Sequence, residues 1–391
     1  MSKIRVLIIY SRDIERNDSG GSRTTIQLID YLAQHEDFKC YCYFKMINEY
    51  NDNVIEITNK KLNNKNLNKF ILNEQIDIIY VPEAVKYAKL ANLATQNTNC
   101  KVVSALHNMP GYEKIRLFTH LKEAFFYHKS KFKRYRALVL MIFYPLFYLI
   151  YTMYSKYKFR SAYINSDKLV LLSSSFFSEF KKEYHVKNTD KLVSIGNALS
   201  FNEFATDSVI LNKKKQVLIV SRLDERQKRI SLAIKAWKEI EDDYSDWKLK
   251  IVGSGRSSLN YKKMVKKLEL KRVEFLGYKK PKKYYKESAI FLMTSAYEGW
   301  GMTITEAQQY GCVPIVMNSF TAVNDIINSN INGIISEDAN VGKFAKEIKT
   351  LIKNDELRIK LSKKAVESSK RFKMEKIGPK WVKLFEKVVK D

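Results

Sequence analysis

Two glutamates stand eight positions apart in a glycine-containing run near the C-terminal third of the chain. Glu298 and Glu306 belong to SAYEGWGMTITEA, residues 295–307, where Gly299 and Gly301 precede a helical pattern. An ionised carboxylate only accepts hydrogen bonds, so these side chains suit the hydroxyl groups of a sugar. The open alternative is a solvated loop glutamate followed by an ordinary helix glutamate.

The elements around this run place it at a sheet edge. Residues 290–294 predict a short buried strand, and residues 303–310 predict a helix that stops at Gly311. The run therefore follows the carboxyl end of a strand, where open α/β sheets bind ligands. The free backbone N–H groups at the helix start, around Met302 and Thr303, favour an anion such as a nucleotide phosphate.

Basic residues follow a second apolar strand. Residues 216–221 predict this strand, and Arg222 and Lys228 come before a helix predicted from 230 to 240. Arg offers a planar fork of donors and Lys a point charge, a combination that suits a diphosphate. The open alternative is a solvated basic loop.

A pair of glycines ends the next predicted strand, residues 248–252. At Gly253 and Gly255 the missing Cβ atoms would let a ligand approach the backbone. A glycine pair alone indicates only a turn, so the joint placement of the cations, glycines and glutamates carries the prediction.

On these residues the chain resembles the family 4 glycosyltransferases, retaining enzymes that take a sugar from a nucleotide diphosphate sugar. The resemblance covers nearly the whole chain and implies the α/β GT-B fold, two Rossmann-like domains whose parallel sheets face across a cleft. It implies that Arg222 and Lys228 bind the diphosphate, that Glu298 contacts the donor sugar, and that Glu306 binds the ribose. Many members space the Arg and Lys one residue closer, so Arg226 or Arg229 could share the diphosphate role.

The resemblance extends to the N-terminal half. Ser19, Gly20, Gly21 and Ser22, after the first predicted strand, look like the family's glycine loop beside the donor phosphates. His107, at the end of another predicted strand, matches the family's active-site histidine, which would contact the donor sugar or the developing charge. The open alternative is a hydrogen-bonded loop histidine.

The expected chemistry uses the chain's own cations. No Asp-x-Asp pair follows a strand, so we expect neither a metal ion nor another cofactor at the diphosphate. Arg222, Lys228 and the helix start beyond Gly301 would neutralise the leaving group. Because the resemblance implies retention, the leaving diphosphate would assist the acceptor hydroxyl on the same face of the sugar. The expected catalytic residues are therefore His107, Glu298, Arg222 and Lys228.

Strands and helices alternate along the 391 residues, which predicts parallel sheets with crossover helices. The predicted domains are an N-terminal domain at 1–199 on the acceptor side, a polar linker at 200–215, and a nucleotide-sugar domain at 216–375. A C-terminal helix at 376–391 is expected to pack back on the first domain. The remaining predicted strands are 4–10, 39–44, 76–81, 101–106, 168–172, 192–195, 313–316 and 333–335.

The chain carries a formal net charge of +27, but no nucleic-acid-binding motif interrupts the α/β pattern. The excess of positive charge is concentrated in a basic and aromatic insertion at about 114–160. This insertion contains eleven basic residues and a single acidic one, Glu123. Residues 137–154 are uncharged, yet a span here would put the strands at 101–106 and 168–172 on opposite sides of a membrane. We therefore expect the segment to lie on an anionic membrane surface. The open alternative is a core helix of the first domain.

These features together predict the partners and the location. The four cysteines lack metal-ligand spacing and are expected to be reduced thiols, and the apolar run at 4–10 is too short for a signal peptide. We expect a cytoplasmic enzyme, peripheral at the inner face of the cytoplasmic membrane, that binds a nucleotide sugar and a glycan or lipid-linked acceptor in bacterial surface polysaccharide synthesis. The alternatives are a GT-B sugar-nucleotide epimerase and a non-enzymatic basic protein of the membrane surface.

Overall fold

Two parallel β-sheets organise the chain. The computed structural model describes residues 3–15, 20–46, 53–57, 62–127 and 130–391. In each sheet the strand order reverses about the first strand, which is typical of a doubly wound α/β domain. The prediction of an α/β chain with two Rossmann-like parallel sheets is confirmed.

The first sheet contains β1 (Ile4–Ile8), β2 (Phe38–Cys42), β3 (Val54–Glu56), β4 (Ile78–Val81), β5 (Lys101–Leu106), β6 (Lys168–Leu171) and β7 (Leu192–Ser194). Its order is β3-β2-β1-β4-β5-β6-β7. Helices cover both faces, so Val6, Leu7 and Ile8 are all fully buried. This is why the strands appear in the sequence as continuous apolar runs rather than as alternating ones.

The second sheet contains β8 (Lys214–Val220), β9 (Lys248–Val252), β10 (Val273–Gly277), β11 (Ser288–Met293), β12 (Val313–Met317) and β13 (Ile334–Ser336). Its order is β10-β9-β8-β11-β12-β13. The sequence pattern missed β10, where Val273 and Phe275 flank Glu274 and all three are only partly buried. It also missed β3, which has three residues.

The helices connect these strands. In chain order they are α1 (Gly20–Ala33), α2 (Asn64–Glu74), α3 (Ala84–Ala94), α4 (Tyr112–Tyr127), α5 (Lys131–Ile142), α6 (Tyr144–Ile164), α7 (Phe176–Tyr184), α8 (Asp207–Leu211), α9 (Glu225–Lys228), α10 (Ile230–Lys238), α11 (Ser258–Lys267), α12 (Lys282–Glu287), α13 (Met302–Gln309), α14 (Val323–Ile326), α15 (Val341–Lys353), α16 (Asp355–Ser369) and α17 (Met374–Lys390). The four cysteines are buried free thiols.

The chain divides into two compact units. The first comprises Met1–Glu113, Phe143–Ala198 and Phe372–Asp391, and the second comprises Lys114–Ile142 and Leu199–Arg371. The polar stretch at 200–215, predicted to be a linker, is part of the second unit: it contains α8, and the Gln309 side chain donates hydrogen bonds to the carbonyls of Phe201 (2.6 Å) and Glu203 (2.7 Å).

The insertion predicted at 114–160 is divided in the same way. Helices α5 and α6 are separated at Phe143, and Pro145 lies in the first turn of α6, where its missing N–H and fixed φ favour a new helix start. Among the described helices none is alone long and apolar enough to cross a bilayer, and the pair α5–α6 passes that test only with an 87° bend between its members.

The C-terminal helix α17 packs within the first unit, on α1 and the first sheet. Trp381 and Phe385 are buried, and their rings lie 5.2 and 6.1 Å from the ring of Tyr80 on β4. Gly378 lets α17 come close to α1, since a Cβ at this position would lie 2.4 Å from two ring atoms of Tyr31. The helix at the end of the chain therefore belongs to the core of the first unit.

Replacing Gly378 by alanine tests this close approach. Gly378→Ala should lower the free energy of unfolding by about 1–3 kcal/mol, because the added methyl group must displace the Tyr31 ring. Gly342→Ala in α15 is the matched control, since its Cβ would meet only Asn340 Oδ1, at 4.0 Å. Denaturant unfolding of both variants and of wild type measures the free energies. Equal stability of Gly378→Ala and wild type would contradict the close packing of α17 on α1.

Candidate functional site

The candidate site lies where the second sheet reverses its strand order. Strands β8 and β11 are neighbours there, and the chain leaves them toward opposite edges of the sheet. The loop after β8 leads into α9, and the loop after β11 leads into α13. Because ligands of open α/β sheets bind outside the carboxyl ends of strands at such a point, these two loops are the expected binding surface.

Hydrogen bonds between these loops fix their positions. The guanidinium of Arg229 donates from Nε to the Thr294 carbonyl and from Nη2 to the Ser295 carbonyl, both at 2.9 Å. It also forms an ion pair with Asp338. The hydroxyl of Thr294 donates to the Lys228 carbonyl at 2.8 Å. The cross-links thus hold the backbone at Lys228 against the loop that carries Glu298.

Lys228 and Glu298 form an ion pair at the junction of the two loops. Lys228 Nζ lies 2.5 Å from Glu298 Oε1, and the two side chains are only 16% and 12% exposed. Two residues predicted from separate motifs, seventy positions apart, are therefore brought into direct contact. A pair shielded this far from water interacts more strongly than a pair on the open surface.

The neighbouring arginines differ in their surroundings. Arg222 is exposed, and its Nη2 donates to Gln227 Oε1 at 2.8 Å. Arg226, in contrast, makes two hydrogen bonds of 3.0 Å to the buried carboxylate of Asp224. Like Arg229, it is engaged within the protein, so Arg222 is the arginine of this group that faces solvent.

The glycines after β9 serve the backbone rather than a ligand. A Cβ at Gly253, where φ is +140°, would lie 1.8 Å from the Ser221 carbonyl oxygen, and one at Gly255 would lie 2.4 Å from that of Leu223. The prediction that these positions leave room for a ligand needs this correction: the space is occupied by the loop after β8. The glycines let that loop pass, and so position Arg222 indirectly.

A glycine-containing turn starts α13. Gly301 adopts a left-handed conformation with φ +92° at the N-cap, and Gly299 is buried two residues before it. Met302 and Thr303 form the first turn of α13, whose N–H groups have no partner within the helix. The predicted helix start is present at the carboxyl end of β11, and its binding of an anion stays a prediction.

Glu306 is buried, with 2% of its surface exposed. Its Oε2 accepts a hydrogen bond from Tyr285 Oη at 2.9 Å, and its Oε1 accepts one from Ser200 Oγ at 2.5 Å. Neither partner lies near a motif, so neither could be predicted from the sequence. The ribose role of Glu306 stays a prediction, and a ribose hydroxyl would have to share the carboxylate with these two hydroxyls.

The predicted residues of the N-terminal half lie in the first unit. Ser19 is outside the described residues, whereas Gly20 and Gly21 begin α1. A Cβ at Gly21 would lie 3.6 Å from Tyr10 Oη and 3.9 Å from His107 Cδ2, so the glycine brings α1 close to both rings.

His107 is not a hydrogen-bonded loop residue. Both of its ring nitrogens are buried and have no hydrogen-bond partner among the described residues. Desolvation lowers the pKa of His107 to about 4, so the imidazole is neutral at pH 7. A neutral imidazole with unsatisfied nitrogens can donate to or accept from a bound hydroxyl.

Comparison with known proteins agrees with this geometry. Residues 200–368 match the model of the family described as glycosyl transferases group 1. Over these residues, which make up less than half of the chain, the protein is similar to the glycosyl transferases group 1. The matched segment contains the loops after β8 and β11 together with Arg222, Lys228, Glu298 and Glu306.

Two curated relatives are each 28% identical to the chain over the matched residues. One is an uncharacterized glycosyltransferase of Haemophilus influenzae, matched over 217 residues, 55% of this chain and 60% of that protein. The other is the amylovoran biosynthesis glycosyltransferase AmsD of Erwinia amylovora, matched over 221 residues, 55% of this chain and 61% of that protein. The chain thus spans about 60% of the length of these relatives.

Solved structures share the fold over nearly the whole chain. HepE of Anabaena in complex with UDP and glucose has a TM-score of 0.70 at 16% identity, covering 98% of this chain and 99% of that one. The lipopolysaccharide outer core galactosyltransferase WaaB has a TM-score of 0.69 at 16% identity, covering 98% and 100%. At this identity the likeness establishes the fold.

A double-mutant cycle measures the ion pair in the candidate site. Lys228→Met and Glu298→Gln should each destabilise the protein, and the double variant should lose less than their sum, with a coupling of about 1–3 kcal/mol. Lys248 and Glu274, 3.0 Å apart with side chains 53% and 36% exposed, are the control pair. Their coupling should stay below about 1 kcal/mol. Denaturant unfolding supplies the values, and strictly additive effects at Lys228 and Glu298 would exclude the contact.

Proposed function

We propose that this protein is a retaining glycosyltransferase that moves a sugar from a nucleotide diphosphate sugar to a glycan or lipid-linked glycan acceptor. The observation that carries the proposal is the contact between Lys228 and Glu298 at the strand-order reversal of the second sheet, on loops that also carry Arg222 and lead into α13. The relative AmsD is named for amylovoran biosynthesis, which supports a place in bacterial surface polysaccharide synthesis.

In this proposal the Lys228–Glu298 pair is the resting state of the donor site. A diphosphate carries more negative charge than one carboxylate and competes for the Lys228 ammonium. Its binding leaves Glu298 to accept hydrogen bonds from the hydroxyls of the donor sugar. The ion pair thus keeps both side chains in position and shielded from solvent. When the donor binds, its diphosphate replaces Glu298 as the partner of Lys228.

The reaction breaks the bond between the anomeric carbon and the diphosphate oxygen, and forms a bond from that carbon to the acceptor oxygen. The acceptor's proton passes to the leaving diphosphate on the same face of the sugar, which accounts for retention. Arg222, Lys228 and the first N–H groups of α13 stabilise the departing charge, so we propose that no metal ion is needed. The role that the family resemblance implies for His107, at the donor sugar or the developing charge, is part of this proposal.

The epimerase alternative differs in one measurable respect. An epimerase releases free or isomerised sugar nucleotide without an acceptor, whereas a transferase joins the donor sugar to one. A non-enzymatic protein would do neither and would show no saturable binding of a nucleotide diphosphate. A panel of nucleotide sugars, followed by mass spectrometry of products with and without acceptor, separates the three.

Arg222→Ala tests the donor site. The variant should lose roughly tenfold to over a hundredfold in kcat/KM for the donor, because a charge-assisted hydrogen bond of about 1.5–3 kcal/mol is removed. Lys279→Ala removes an exposed cation elsewhere in the second unit and should leave kcat/KM unchanged. The assay is run in EDTA, in which wild-type turnover should persist. Unchanged kinetics of Arg222→Ala, or loss of wild-type turnover that Mg²⁺ or Mn²⁺ restores, would overturn the assignment.

We also propose that the protein attaches peripherally to an anionic membrane, at the inner face of the cytoplasmic membrane. The support comes from the outward face of α6, which is apolar where an ordinary surface helix is polar. The inward face packs on α3, and its buried residues are Thr152, Ser155, Phe159, Ala162 and Tyr163. Its outward face carries large apolar side chains, each more than half exposed: Leu146, Leu149, Ile150, Met153, Tyr154 and Tyr157.

The charges on α6 fit the same partner. Lys156, Lys158 and Arg160 lie on this helix, which has no acidic residue in its sequence. Helix α5 by itself repeats the pattern, because Phe132 and Tyr135 are exposed among four exposed basic residues. Exposed apolar side chains beside cations suit the interface of an anionic bilayer, where the apolar groups leave water and the cations meet lipid phosphates.

Vesicle sedimentation tests the attachment. Wild type should sediment with phosphatidylglycerol-containing vesicles and be partly released by high salt, which screens the charges. Leu149→Gln combined with Met153→Gln should weaken binding at least about tenfold, because fully burying each such side chain contributes about 1.5–3 kcal/mol. Leu259→Gln, at an exposed leucine of α11, is the control and should bind like wild type. If the double variant binds vesicles as well as wild type does, the outward face of α6 does not attach the protein to the membrane.

A further inference from the structure

The carboxylate of Glu306 is held from outside its own helix. Its Oε2 accepts from Tyr285 Oη at 2.9 Å, and the two residues are 2% and 0% exposed. Tyr285 lies on α12, which leads into β11, whereas Glu306 lies on α13, which follows the same strand. The hydrogen bond therefore joins the two helices that flank β11 in the sequence.

The place of Glu306 in α13 matters for what its carboxylate can meet. It is the fifth residue of this helix, one turn beyond the start at Met302. Because helical side chains lean toward the N-terminus of their helix, a side chain at this position extends back over the first turn. The proposed function places the diphosphate near that turn, and the ribose of a nucleoside diphosphate is bonded directly to the diphosphate. A carboxylate can accept about four hydrogen bonds, so a protein hydroxyl can hold it while it also accepts from a sugar.

Tyr285 is itself fixed through its ring and its backbone. The ring is stacked on that of Tyr310, with centroids 6.4 Å apart and planes 6° apart. The Lys213 ammonium donates to the backbone carbonyls of Tyr285 and Tyr310, each at 2.6 Å. Desolvation lowers the pKa of Lys213 to about 8, so at pH 7 most of the ammonium stays protonated and keeps both bonds. The hydroxyl of Tyr285 therefore approaches Glu306 from a fixed position.

The stacked neighbour Tyr310 differs from Tyr285 at its hydroxyl. Tyr310 is also 0% exposed, but its hydroxyl has no hydrogen-bond partner within the part of the chain that the structure describes. Replacing either tyrosine by phenylalanine keeps the stacked rings and removes one buried hydroxyl. The two replacements thus differ in whether Glu306 loses a donor.

We propose that Tyr285 is a positioning residue for nucleotide recognition, whose hydroxyl holds the Glu306 carboxylate in the orientation that accepts from a ribose hydroxyl. The inference rests on the proposed function and on the ribose role that the family resemblance implies for Glu306. Tyr285 acts through Glu306 and does not touch the nucleotide. The terminal torsion of a glutamate is broad, so without this donor the carboxylate can turn away from the accepting geometry.

Calorimetric titration of the full chain tests this role. UDP, GDP and ADP are titrated first, and the nucleotide that binds most tightly is compared with its 2′-deoxy and 3′-deoxy forms. Wild type should prefer the ribonucleotide over at least one deoxy form by roughly tenfold or more, the loss expected for one hydrogen bond to a charged group. Tyr285→Phe should reduce this preference by at least about threefold, a partial loss of the same bond. Tyr310→Phe is the matched control and should keep the wild-type preference.

Glu306→Gln shows whether Tyr285 acts through the carboxylate. This variant should lose most of the preference for ribose, and adding Tyr285→Phe to it should change the preference no further. A purely structural hydroxyl would lower the melting temperature of Tyr285→Phe and leave the preference at the wild-type value. That result, or a further loss in the double variant, would overturn the inference.

The outcomes separate this inference from the proposed function. If a nucleoside diphosphate binds and Arg222→Ala weakens its binding, but wild type shows no preference for ribose, the proposed function stands and the role of Tyr285 fails. If none of the three nucleotides binds to wild type, both fail. A crystal structure of the wild-type complex does not depend on the variants: Glu306 should accept from Tyr285 and from a ribose hydroxyl at once, and loss of either bond in the complex would contradict the inference.

Discussion

Arg229 holds together the two loops on which the candidate donor site depends. Its backbone is left-handed, with φ 43°, a conformation that costs a non-glycine residue about 1–3 kcal/mol. In this conformation it ends α9, begins α10 and directs its guanidinium to the carbonyls of Thr294 and Ser295. The side chain thereby offsets the backbone strain with charge-assisted hydrogen bonds and ties the carboxyl end of β8 to that of β11.

The chemistry of the site depends on the hydrogen bonds by which Arg229 joins the two loops. With the loops fixed, Lys228 and Glu298 meet with little exposure to water, so an incoming anion does not have to order either side chain from solution. The glycines at 253 and 255 contribute in the same way, by letting the loop with Arg222 pass close to β9. Arg222 is exposed on this loop, where the proposed function places the diphosphate.

Most strands and helices of the fold could be predicted from the sequence. Buried parallel strands are continuous apolar runs, so β5 and β9 match their predicted bounds, and short loops put Arg222 and Glu298 at strand ends. Contacts between distant segments could not be predicted. The partners of Glu306, the pairing of Lys228 with Glu298 and the true neighbours of Gly253 join segments separated by many residues.

The central claim is that a bound diphosphate replaces the Glu298 carboxylate as the partner of the Lys228 ammonium. A crystal structure of the chain with UDP bound tests this claim most directly. The account predicts diphosphate oxygens within hydrogen-bond distance of Arg222 and Lys228, near the start of α13, with Lys228 Nζ withdrawn from the Glu298 carboxylate. UDP bound away from these residues, with the Lys228–Glu298 pair intact, would contradict it.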